Sequence, residues 1–151
     1  MIDISVYLRK GLLKKQPPNF KQIAAQINRA IKDLTTYKLV VENDPEWAAS
    51  IAYQAMLRAG RALLFSVGYL PTDGQQHKTV VEVTGLILGK EYETAVLLFE
   101  KFRRKWNLFF YDSVDTANAT EAKKSAETAQ SLIEAIKKQI KMLNLQIEFD
   151  I

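Results

Sequence analysis

The chain has no cysteine and only one histidine, His77, in 151 residues. The first absence excludes a disulfide scaffold, thiol catalysis and thiolate metal sites. A lone histidine without cysteine does not build a zinc site, and its place at the start of a helix after a polar loop reads as a surface or cap position. Also missing are a P-loop, a Gly-rich dinucleotide fingerprint, a nucleophile elbow and a His-Glu-x-x-His pair, so no cofactor or metal is expected. No uncharged run approaches the roughly 18 residues of a membrane span. No apolar leader follows Met1-Ile2-Asp3, which makes the cytosol the expected compartment.

What remains is a globular composition, 48% hydrophobic and 25% charged, of a length that supports one domain with a real core. The formal charge of +4 favours an anionic partner such as RNA, but it falls short of the basic stripe of a dedicated nucleic-acid binder.

The patterning is helical. After Pro17-Pro18, Phe20, Ile23, Ile27, Ile31 and Leu34 recur every three or four residues with Asn19 as N-cap, predicting a helix to about Val41. Asp44-Pro45 supplies a cap and a first-turn proline for a second helix, Trp47 to Val67, closed by Gly68. Tyr69 to Gln76 reads as a loop and His77 to Leu88 as a shorter helix ended by Gly89, with a fourth helix over roughly Glu91 to Tyr111. Asn118 and Glu121 resemble a capping box. From there Ala122, Ala126, Ala129, Ile133, Ile136, Ile140, Leu143 and Ile147 form the strongest stripe in the chain, with Lys123, Lys124, Lys137, Lys138 and Lys141 as its solvated side. Only Gln146 to Ile151 alternates with period two, and it is too short to found a sheet. The expected class is therefore all-α: an up-and-down bundle of four to five helices over residues 19–147, preceded by a lead-in segment, residues 1–18.

The segment most suggestive of chemistry is Lys-Phe-Arg-Arg-Lys-Trp-Asn-Leu-Phe-Phe-Tyr-Asp, residues 101–112. Arg104, Asn107 and Tyr111 share a helix face with Glu100, while Tyr92, Ala95, Phe99, Phe102, Trp106 and Phe109/Phe110 mark the buried stripe. The polar set is thus expected to point away from the core. Its bland reading is a solvated face with a Glu100–Arg104 ion pair. The aromatic run Trp106, Phe109, Phe110, Tyr111 reads as core rather than as a platform for stacking bases.

Several segments together resemble one known family. They are Ala52-Tyr53-Gln54-Ala55-Met56-Leu57-Arg58-Ala59-Gly60-Arg61-Ala62-Leu63-Leu64, then Gly68-Tyr69-x-Pro71, then Gln76-His77-Lys78-Thr79-Val80-Val81, and Arg103-Arg104-Lys105-Trp106-Asn107 with Tyr111-Asp112. In order and spacing, over about Leu8 to Leu143, they are similar to the prokaryotic HEPN domain family. The resemblance implies a helical bundle, a homodimer, and pairing with a minimal nucleotidyltransferase in toxin–antitoxin systems. Many members are metal-independent ribonucleases that use an Arg, an adjacent polar residue and a His four to six residues on. There the Arg neutralises the scissile phosphate and the His moves a proton for attack by the ribose 2′-hydroxyl.

This chain departs from the pattern at two positions. Tyr111 stands where the His belongs, six residues separating it from Arg104, and Trp106 precedes Asn107 where an Arg is expected. With a phenol pKa near 10, only about one Tyr in a thousand is ionised at neutral pH, so Tyr111 unaided is a poor base. The resemblance thus implies nucleotide or RNA binding, with Arg103 and Arg104 as phosphate ligands, or a Tyr111 hydroxyl acted upon by a partner. The alternatives are a ribonuclease toxin that uses Arg104, Asn107 and Tyr111, and a non-catalytic interaction module.

Overall fold

The computed structural model describes residues 3–72, 77–107 and 117–149. Helix α1 (Ser5–Arg9) leads into β1 (Leu13–Lys15), then α2 (Phe20–Val40), α3 (Pro45–Ser66), β2 (Tyr69–Pro71) and α4 (His77–Leu88). A 3-10 turn, Lys90–Tyr92, precedes α5 (Glu93–Asn107), and α6 (Ala119–Leu143) completes the bundle. The all-α class holds, and the helix starts fall where the caps place them. The Gln22 amide donates to Asn19 Oδ1 at 3.1 Å, Trp47 to Asp44 Oδ1 at 3.0 Å and Glu121 to Asn118 Oδ1 at 2.9 Å. Each side chain satisfies one of the amides that a helix start leaves without an intrahelical partner.

Three features differ from the sequence reading. The lead-in and the loop after Gly68 pair as a two-stranded antiparallel ribbon, Leu13 opposite Pro71 and Lys15 opposite Tyr69. Gly68, at φ 93°, makes the turn out of α3 that aims β2 back along β1. The fourth predicted helix is broken at its start, where Gly89 and the 3-10 turn redirect the chain before α5. Finally, α6 ends at Leu143. Ile147 is buried from the tail beyond it, where Lys141 Nζ donates to the Ile147 carbonyl at 2.5 Å. Lys141 is therefore not simply solvated, and neither is Lys137, whose side chain is 16% exposed, pairs with Glu134 and lies over the Phe149 ring.

At the centre stands α3, packed against α2, α4, α5, α6 and β2. Its Ala48, Ala52, Ala55, Ala59 and Ala62 are fully buried, and such small side chains let neighbouring helices approach closely. Gly60 takes this furthest, because a Cβ there would lie 2.7 Å from Val80 Cγ1 and 3.0 Å from Thr84 Oγ1, both on α4. Between α2 and α3 the buried Asp33 carboxylate is shared. Arg29 Nη2 meets Oδ1 at 3.0 Å and Arg58 Nε meets Oδ2 at 3.0 Å.

Gly60→Ala should therefore destabilise the protein. Ala is favoured over Gly in a helix by about 1 kcal/mol, but overpacking a tight core contact costs about 1–3 kcal/mol. Urea unfolding followed by circular dichroism is expected to show a lowered midpoint, and an unchanged or raised midpoint would show that α4 gives way.

Candidate functional site

The α5 cations divide between two environments. Arg104 projects into solvent with its side chain 76% exposed, whereas Arg103 is 17% exposed and turned inward. Both share Glu100. Its Oε1 accepts from Arg103 Nε at 2.6 Å, lies 2.5 Å from Arg103 Nη2, and stands 3.7 Å from Arg104 Nε. The main partner of Glu100 is thus Arg103, not Arg104. Lys105 pairs with Glu121 on α6, so the second half of the capping box is committed to a tertiary contact instead, and Lys105 holds the Glu121 carboxyl below its usual range. Asn107 is half-buried at the last turn of α5. Tyr111, Phe109 and Phe110 lie outside the described residues, so Arg103, Arg104 and Asn107 are the predicted site residues whose placement is seen.

What the sequence did not reveal is where α5 meets α3 and α4. Tyr53 of α3 is 1% exposed, and its hydroxyl lies 3.1 Å from Nδ1 of His77, the first residue of α4. The His77 ring packs on Trp106 of α5 with centroids 4.8 Å apart and planes tilted by 52°. Tyr53 in turn lies 5.8 Å from Trp106 and 6.0 Å from Phe99, measured between ring centroids. The lone histidine is thus part of a three-helix aromatic cluster rather than a surface cap. Its uniqueness in the chain was the signal available, since nothing local tied it to α5.

Burial pushes the Tyr53 phenol well above its usual value. Arg103 and Arg61 pull it down and Glu100 pushes it up, but desolvation outweighs all three. The hydroxyl is therefore protonated at neutral pH. It shares a hydrogen bond with His77 Nδ1, and the tautomer of the imidazole sets which of the two donates. Beside this cluster, Arg103 is committed to Glu100 and Lys105 to Glu121, while the Arg104 guanidinium is largely exposed and can meet an anion such as phosphate. Among the described residues no three His, Asp or Glu side chains converge on a metal position, and no helix is long and apolar enough to cross a membrane.

A raised phenol pKa implies that Tyr53 stabilises the fold only while neutral, a contribution fully present below the ordinary tyrosine range and lost as pH rises through the elevated native value. Spectrophotometric titration should show Tyr53 ionising last, after Tyr7, which burial and the neighbouring Glu82 push up to about 12, and Tyr53→Phe should remove the last step alone. An unchanged last step in the variant would show that Tyr53 is not the group responsible.

Comparison with known proteins agrees with this architecture. A family model described as the HEPN domain matches residues 23–140, a span that begins within α2 and ends within α6. No curated protein and no solved structure matches the chain.

Proposed function

The chain belongs to the HEPN domain family, and from that premise we propose that it binds phosphate groups of a nucleotide or RNA strand at the C-terminal end of α5. The observation carrying this reading is that Arg103 and Arg104 share Glu100 near the end of α5, Arg103 close enough to the buried Tyr53 hydroxyl to act on it and Arg104 exposed. Arg104 extends into solvent to meet an incoming phosphate, while Arg103 keeps a fixed charge behind it. Fluorescence anisotropy with a labelled single-stranded RNA is the test. Affinity should fall as salt rises, and Arg104→Ala should weaken binding by roughly tenfold, the value of one charge-assisted contact. Lys124→Ala, on the exposed side of α6, should change it little. Equal losses would indicate diffuse charge without a site.

The same face supports a homodimer. Leu97, 64% exposed, precedes Arg104 by seven residues and therefore lies on the same stripe of α5, and the exposed Leu86 of α4 flanks it. A second copy covering Leu97 would set the two Arg104 side chains across a two-fold axis. Sedimentation at micromolar concentration should report a dimer, converted to a monomer by Leu97→Glu; a native monomer would remove this part of the proposal. A minimal nucleotidyltransferase as further partner, in a toxin–antitoxin pair, rests on the family resemblance alone, and co-purification of the two chains tests it.

His77 favours a second reading, a metal-independent ribonuclease. An imidazole near the phosphate-binding cations can carry the proton transfer, and the fold packs that of His77 on α4 against Trp106 of the α5 motif. On this reading RNA cleavage in the presence of chelator is lost on His77→Gln and survives Tyr111→Phe. Native protein that binds RNA without cutting it leaves the binding reading standing alone.

A further inference from the structure

Helix α4 is poorly made for standing alone. Thr79, Val80, Val81, Val83, Thr84 and Ile87 are β-branched and Gly85 is weaker still as a helix former, so α4 draws its stability from packing rather than from its own propensity. That packing carries a defect. Thr84 is fully buried where it faces Gly60 of α3, yet its Oγ1 has no hydrogen-bond partner among the described residues. A helical threonine can satisfy its hydroxyl on the carbonyl one turn back, and a valine would fill the same space with no polar atom to bury, so the docked position of α4 holds an avoidable cost.

The lead-in grips α4 from outside. Ile4, Tyr7 and Leu8 pack on the core, and the Tyr7 hydroxyl donates to Oε2 of Glu82, on the exposed side of α4, at 2.8 Å. The same segment also holds the chain that leads into α4. β1 pairs with β2, and the ribbon is prolonged at both ends, where the Gln16 amide donates to the Gly68 carbonyl at 2.9 Å and the Thr72 amide to the Leu12 carbonyl at 3.3 Å. Beyond its last residue α4 meets Gly89 at φ 81°, a backbone with the freedom to pivot. The family match begins only at residue 23, so this grip lies outside the matched span.

We propose that α4 undocks from α3 as a unit, pivoting at Gly89, and that residues 3–15 form the strap that keeps it docked. Because His77 begins α4, each opening withdraws the imidazole from Tyr53 and Trp106 and uncovers the aromatic cluster. The strap thereby sets how often that cluster meets solvent, whatever the α5 end binds.

Native-state hydrogen exchange of the full chain, read by mass spectrometry, tests the proposal. Amides of α4 should be at least about tenfold less protected than those of α3 and α6, as expected of a unit that opens before the whole molecule does. Tyr7→Phe removes one hydroxyl and should speed α4 exchange by roughly tenfold, the value of a hydrogen bond to a charged group. Thr84→Val should slow it severalfold. Ile27→Val, in the core on α2, should speed exchange of α3 and α6 but leave α4 unchanged, because the Ile27 contacts survive the opening. Thermal unfolding of each variant checks that the native state persists. Protection of α4 equal to that of α3 would overturn the proposal, as would α4 exchange that is indifferent to Tyr7→Phe, that does not slow in Thr84→Val, or that rises with Ile27→Val as in α3.

Discussion

The structure depends on α3 being buried on nearly every side. A helix surrounded in this way cannot follow the simple division into one apolar stripe and one solvated face, and α3 does not: thirteen of its residues, spread around its circumference, are buried. The alanines and Gly60 permit this, since α4 could not reach its position if position 60 carried a Cβ. Once α3 is enclosed, every large or polar side chain it carries must find a prepared place. Tyr53 finds one between α4 and α5, Arg58 against Asp33 of α2, and Arg61 in a groove toward the ribbon.

Those three residues explain why the chemistry gathers around one helix. Among the described residues Tyr53 is the largest fully buried side chain, and a phenol there is costly unless its hydroxyl has a partner. His77 supplies the partner, which fixes the imidazole and draws the N-terminus of α4 toward α5. Arg61 lies between this cluster and the groove, lining the latter while its charge acts on the Tyr53 hydroxyl. Electrostatically the two regions share a plan. In each, a single carboxylate serves two arginines, Asp33 for Arg29 and Arg58 and Glu100 for Arg103 and Arg104, so a net positive charge remains while the guanidiniums are oriented. The more buried member of the α5 pair is held rigidly and the exposed one stays accessible.

The local signals in the chain were strong and mostly correct. Asn19, Asp44 and Asn118 act within one turn of themselves, and the resulting caps define helix starts regardless of what packs nearby. The stripe of α6 identified its buried face because a helix with one packed side repeats every three to four residues. The ribbon was illegible for the opposite reason. Its strands are three residues long, too short for period-two alternation to register, and each is completed by hydrogen bonds to a segment more than fifty residues away. Lys137 and Lys141 were misjudged on the same grounds, because the tail that covers them returns by tertiary contact.

By itself, then, the sequence determined the helical class, the helix starts and the cationic segment of α5, since capping, periodicity and composition act over a few residues. Only the tertiary structure decided which of those cations is exposed, that His77 joins Tyr53 and Trp106, and that Asp33 orients Arg58. Each of these depends on side chains brought together from different helices, with separations of 24 residues for Tyr53 and His77 and 25 for Asp33 and Arg58. At such distances local pattern carries no information about contact, and the packing around α3 alone sets which groups meet.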